Sequence, residues 1–210
     1  DALGGQMGIT ADKTALQFKL LNSTKGPGVQ CLRVQSDKIE YSKMMHDVVH
    51  NTENLSVLEA MVESIVVENN KVVGVMLENQ GLLEADAIIL TSGTYMSSKI
   101  LVGSTATPSG PEDQRTTNKL SASLRDLGLK TFRLKTGTPP RIKTNSIDFS
   151  HGLIQPGDEA FIHFSLDTQP EDYPKTQVPC YLIYTQPETH DVIKLNLNKS
   201  AMYSGLVEGV

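Results

Sequence analysis

Residues 55–90 read LSVLEAMVESIVVENNKVVGVMLENQGLLEADAIIL, and this stretch decides the fold class. Its apolar residues fall into four short blocks, 55–58, 62–67, 72–77 and 87–90, broken by Asn69-Asn70 and by Asn79-Gln80-Gly81. β-Branched residues crowd the blocks, while Asn and Gly accept the left-handed backbone angles of tight hairpin turns. The pattern predicts strands joined as a meander. Alternation is imperfect through Ser64-Ile65-Val66-Val67, so at least one strand is expected to be covered on both faces. The last block, 86–90, is expected as a buried strand running into Thr91-Ser92-Gly93-Thr94. A small, glycine-bearing turn of that kind lets backbone approach a ligand closely.

Around the meander the periodicity changes. Val34, Ile39, Met44, Met45, Val48 and Val49 share one stripe, with Lys38, Lys43 and Asp47 off it, and predict a helix over 34–51. Asn118 is placed to cap a second helix carrying Leu120, Leu124 and Leu127, which Gly128 ends. Between the meander and that helix, 103–117 is rich in Gly, Ser, Thr and Pro and reads as a long loop. Beyond Arg141 strand-like pieces at 160–166 and 178–185 flank a polar, proline-bearing stretch, and a domain break is placed near residue 141. The fold class is α/β.

The chain has 210 residues, 39% hydrophobic and 20% charged, enough apolar mass for a core in one or two domains and consistent with a soluble, cytoplasmic protein. Its apolar runs fall short of the roughly 18–20 residues that a membrane-spanning helix needs. A net charge of −5 removes whole-protein attraction to nucleic acid, so any such contact must be a local patch. Residues 133–141, RLKTGTPPR, provide one: Arg133, Lys135 and Arg141 surround Gly137, and Pro139-Pro140 stiffen the exit. Three cations on a stiff frame in an acidic chain suit a polyanion such as nucleic acid, a dinucleotide or a phosphorylated substrate. A solvated surface loop is the plain alternative.

Other chemistry-bearing residues have plain explanations. Cys31 and Cys180 lie far apart without metal or redox spacing, and buried or idle thiols are expected. His46 and His50 stand one helical turn apart but lack a nearby carboxylate or Cys ligand, so no metal site is assigned. His190 beside Asp191 could act as a general base, although a hydrogen-bonding role is the simpler one. His151 and His163 show no partner in the sequence. Asp148 could orient Arg141 or meet a ribose, but capping a turn is simpler.

Helix, meander and a Thr-x-Gly exit resemble flavoproteins with two dinucleotide-binding domains, of the glutathione-reductase-like kind. The phosphate cradle Gly-x-Gly-x-x-Gly is missing: Gly4-Gly5, Gly8, Gly26 and Gly28 do not supply the spacing. More specific stretches run end to end: Asp1-Ala2-Leu3-Gly4-Gly5; Asn22 through Gly28; Arg33 to Asp37 with Tyr41; Leu90 to Tyr95; the Arg133–Arg141 run; Ile147-Asp148-Phe149-Ser150; Val178-Pro179-Cys180-Tyr181; Thr189 to Ile193; and Met202-Tyr203-Ser204-Gly205 before Glu208-Gly209. Together they resemble the family of tRNA uridine 5-carboxymethylaminomethyl modification enzymes, MnmG or GidA.

That resemblance implies an FAD enzyme that uses NADH and methylene-tetrahydrofolate to place a carboxymethylaminomethyl or aminomethyl group on C5 of a wobble uridine in tRNA. It also implies a homodimer working with the GTPase MnmE. Residues 1–141 would then be part of the FAD-binding domain, without its phosphate loop, and 142–210 part of an inserted NADH or substrate domain. Val62 matches a valine that contacts FAD, and Thr117 stands where the family commonly has a serine against the flavin cofactor. Thr91, Gly93 and Thr94 fit the closing strand of that site. Arg133, Lys135 and Arg141 would hold phosphate of tRNA, folate or cofactor. Neither Cys31 nor Cys180 matches the family's functional cysteines, one of which lies upstream of Asp1 and the other just after Val210, so no catalytic residue is named. Residues 109–115 depart from a common family pattern rich in Gly and Arg. The segment alone is expected to be inactive and poorly soluble. A folate- and FAD-dependent tRNA uridine methyltransferase, or a non-catalytic module binding tRNA or protein, are the alternatives.

Overall fold

The structure, a computed structural model, describes residues 4–174, 176–201 and 203. In chain order the main elements are α1 (Gln6–Lys13), β1 (Ala15–Leu21), β2 (Cys31–Ser36), α2 (Lys38–Asn51), β3 (Val62–Glu68), β4 (Lys71–Leu77), β5 (Gly81–Glu84), β6 (Lys99–Val102), β7 (Thr105–Pro108), α3 (Asn118–Asp126), β8 (Leu153–Gln155), β9 (Cys180–Leu182) and α4 (Pro187–Leu195). The fold is mixed α/β, and every ladder between these strands is antiparallel. Two compact units form: Asp1–Val57 joins Arg141–Tyr184, and Leu58–Pro140 joins Thr185–Val210. Among the described residues no helix is long and apolar enough to cross a membrane.

In the first unit β1 pairs with β2 from Ala15↔Ser36 to Leu21↔Cys31. Along β2 the half-buried Leu32, Val34 and Ser36 alternate with exposed Cys31, Arg33 and Gln35. That period of two takes Val34 out of the helix expected over 34–51. The helix starts at Lys38 instead, because the Asp37 carboxylate accepts from the Ile39 and Glu40 amides at 2.8 and 3.1 Å.

The other edge of β1 is occupied by the later segment of the unit. Asp158 N donates to Phe18 O and Val178 N to Leu16 O, both at 2.9 Å, and the Gln177 side chain accepts from Phe18 N at 2.8 Å. Much of this interior is polar. Asp12 and Gln17 are buried, as are Thr10 and Ser165. The Asp12 carboxylate accepts from Phe164 N, Ser165 N and the Thr168 hydroxyl at 3.0, 2.9 and 2.6 Å. Residues 160–166, expected as a strand, therefore carry no ladder, since a carboxylate takes the amides a neighbouring strand would have used. The piece expected over 178–185 shortens to β9. Phe18, fully buried, stacks on Tyr173 with centroids 4.6 Å apart.

In the second unit the meander forms in the order β3-β4-β5. Asn69 and Asn70 take φ of 48° and 61°, as the hairpin turn requires, and Asn79 and Gly81 take 60° and 84° at the next turn. All of 62–66 is half-buried, since α3 covers β3 with the buried Leu120 and Leu124. The third strand is Gly81–Glu84 rather than 87–90. Residues 55–58 and 87–90 form no strand, and Ile89 is 89% exposed, because no described strand lies beside 87–90 to bond its amides. At Gly74 a Cβ would collide with the Leu83 carbonyl, so glycine is what lets β5 approach β4. The loop expected over 103–117 contains β7, which returns against β6 across Gly103 at φ 57°. The helix expected from Asn118 is α3, closed by Gly128 at φ 84°.

Candidate functional site

Two residues assigned separately from the sequence meet in the second unit. The Thr117 hydroxyl donates to the Val62 carbonyl at 3.1 Å, and both residues are half-buried. Thr117 is the N-cap of α3, yet its side chain caps no helix amide. An N-cap threonine ordinarily turns its oxygen to the first helical turn; here the proton is spent on the first strand of the meander. The oxygen keeps acceptor capacity for a further partner.

Thr117 is held from its other side by 95–98. Thr117 N donates to Tyr95 O and Ser97 N to Thr117 O, both at 3.0 Å, forming an isolated parallel bridge centred on Met96. Thr116 donates its hydroxyl to Tyr95 O at 2.7 Å and accepts from Ser98 N at 2.8 Å. The Ser98 hydroxyl reaches Ser109 O at 2.9 Å. Thr91, Gly93 and Thr94 lie exposed immediately ahead of this bridge, with Gly93 at φ 53°. A Cβ on Gly93 would meet only the Tyr95 ring within 4 Å, so the turn is open to approach.

At the turn between β4 and β5 Glu78 makes a two-pronged pair with Arg115, Nη1 to Oε2 at 2.7 Å and Nη2 to Oε1 at 2.8 Å. The Arg115 hydrogen bonds hold the Glu78 carboxyl below its ordinary range, and Glu78 in turn raises Arg115. Lys119 pairs with Glu63 at 2.5 Å, so α3 and β3 are tied by charge as well as by packing.

The basic run is not a closed turn. Residues 129–143 form no regular structure and are exposed, and Gly137 does not use its left-handed freedom. Arg133 is engaged with protein: Nη1 and Nη2 both donate to Ser97 O at 3.1 Å. Lys135 is exposed in the same unit, whereas Arg141 belongs to the other unit.

The remaining candidates find local partners. His46 and His50 stack with centroids 3.9 Å apart, and His50 Nδ1 bonds His46 O at 2.8 Å. His190 meets the Thr185 hydroxyl at 2.7 Å through Nε2, while Asp191 pairs with Lys194. His151 and His163, without partners in the sequence, face Asp148 at 3.5 Å and Ser165 O at 2.6 Å. Asp148 accepts from Ser150 N at 3.0 Å and caps its turn. Cys31 is exposed rather than buried, and Cys180 accepts from Gln35 Nε2 at 3.2 Å. Among the described residues no group of three His, Cys, Asp or Glu could hold a metal ion. Sequence reasoning passed over Ser97, Ser98 and Thr116; the only signal was the density of small hydroxyl residues over 91–98 and 116–117.

The family model described as Glucose inhibited division protein A matches residues 1–210, the whole chain. The tRNA uridine 5-carboxymethylaminomethyl modification enzyme MnmG of Acholeplasma laidlawii is 50% identical over 210 residues, covering 100% of this chain and 34% of the relative. The protein of the same name from Streptococcus pneumoniae is 47% identical, with 100% and 33% covered. The crystal structure of Aquifex aeolicus GidA, form I, superposes with a TM-score of 0.89 at 40% identity, covering 100% of this chain and 36% of that one. The chain thus spans about a third of the length of the relatives it matches.

Proposed function

The chain belongs to the glucose inhibited division protein A family, and on that premise we propose that it is part of an FAD-dependent enzyme modifying C5 of the wobble uridine of tRNA. In this reading NADH and methylene-tetrahydrofolate are co-substrates, a carboxymethylaminomethyl or aminomethyl group is the addition, and the enzyme acts as a homodimer with the GTPase MnmE. The observation that supports it most is the Thr117–Val62 contact. Two residues to which the family resemblance gives a cofactor role, 55 positions apart, share one hydrogen bond at the edge of the meander.

The residues present fit one wall of a flavin site and not the whole of it. Thr117 offers a hydroxyl oxygen in a half-buried setting, Val62 a carbonyl, and Gly93 an uncovered backbone turn. No phosphate cradle stands among them. When bound, the flavin would take up reducing equivalents from NADH. The part of this chain would be to orient: Thr117 fixed by Val62 and by the 95–97 bridge, and the exposed basic segment offering Arg133 and Lys135 to an anionic ligand. For Arg141, in its own unit, the proposed role is likewise to meet an anion.

The test is the visible spectrum of the purified full-length protein before and after anaerobic addition of NADH. Near-ultraviolet and blue bands that bleach with NADH are expected. A colourless protein that takes up no added FAD would remove the proposal.

A further inference from the structure

We propose that Arg133 is a positioning residue for the cofactor contact at Thr117 and Val62, an inference that rests on the FAD reading above. The Ser97 carbonyl, which receives both Nη groups of Arg133, belongs to the peptide whose amide is Ser98 N. That amide donates to the Thr116 hydroxyl at 2.8 Å, so the 97–98 peptide is gripped at both ends, by a cation and by a hydroxyl. A guanidinium on a carbonyl forms a charge-assisted bond and polarises the peptide, which strengthens the bond at its amide end.

Ser97 also needs holding. Its φ of 45° is left-handed, a conformation that costs a residue with a Cβ and persists only where surroundings impose it. Its own amide is one of the two rungs that hold Thr117. Without Arg133, Ser97 is free to relax to negative φ, its amide turns away from Thr117 O, and the bridge loses a rung. Thr117 then presents its hydroxyl to Val62 less firmly. All of these groups lie in one unit.

The experiment uses the full-length protein with Arg133→Gln and Arg133→Lys. Lysine keeps the charge but cannot place two donors on one carbonyl from a planar fork. Flavin fluorescence titration is expected to show FAD affinity reduced by about tenfold in both variants, the scale of one hydrogen-bonding contact to a charged group. Amide hydrogen exchange at Ser97, Ser98 and Thr117, measured without FAD, is expected to accelerate in both. Binding of tRNA is expected to fall with glutamine and to survive with lysine. If the lysine variant keeps wild-type FAD affinity and exchange, charge alone suffices and the proposal is overturned. It is equally overturned if the glutamine variant weakens tRNA binding only. A wild-type protein that binds no FAD removes the cofactor reading and this proposal together, whereas normal FAD binding in all three proteins removes this proposal alone.

Discussion

At the residue scale, polar contacts set both the candidate site and the interior of the first unit. Thr117→Val removes the hydroxyl on the Val62 carbonyl but keeps the shape. The expected result is FAD affinity in the full-length protein lowered by about 0.5–1.5 kcal/mol, with Thr117→Ser near wild type, as read by flavin titration. Asp12 is the larger structural commitment. Asp12→Ala strands the Phe164 and Ser165 amides and the Thr168 hydroxyl in a buried setting. A loss of about 3 kcal/mol or more is expected in urea unfolding, with Asp12→Asn losing less because it keeps one acceptor oxygen. The proposed role of Thr117 comes from family resemblance. Asp12 was not legible, since an Asp near a helix end ordinarily reads as solvated, and its partners lie more than 150 positions away.

At the element scale, strands formed where the chain supplies its own partner. The β3–β4 hairpin was legible because its turn residues and both of its strands are contiguous; the close approach at Gly74 was not, since its partner Leu83 is supplied by the next strand. Gly74→Val is expected to detach β5, since the new Cβ falls on the Leu83 carbonyl. Lost exchange protection over 81–84, with a lower Tm, would show it; unchanged protection there would contradict it. The edge of β1 is governed by charge. The Leu20 amide, at 2.6 Å, and then Lys19 hold the Asp158 carboxyl below its ordinary 3.8, against the opposing effect of burial. A depressed carboxylate contributes stability that is fully present above the unfolded value, about 3.9, and is lost as pH falls through the folded one. Between pH 5 and pH 3 the wild-type urea midpoint should therefore fall further than that of Asp158→Asn. Equal slopes would refute the assignment. None of this strap was legible: the strand-like look of 160–166 names no partner, and 156–178 takes its form from the backbone groups of β1 and from the Asp12 carboxylate.

At the scale of the whole molecule, large apolar side chains stand exposed. Ile89, Phe132, Leu134 and Leu195 are each at least 80% exposed. Residues 1–210 expressed alone should therefore bind a hydrophobic dye and unfold without a sharp transition, while the full-length protein should do neither; a sharp transition of the short chain would count against this. The texture change near residue 141 was visible in the sequence, but nothing in a linear pattern announces that 1–57 rejoin 141–184. The sequence by itself determined the α/β class, the meander and its asparagine turns, the helix after Thr117, and the family, because these depend on local periodicity, turn chemistry and residue order. Only the tertiary structure decided that Thr117 meets Val62, that Arg133 turns back onto Ser97, that 87–90 stays unpaired and that Asp12 is an interior acceptor. Those outcomes depend on which distant backbone groups arrive at hydrogen-bonding distance, and no local pattern carries that information.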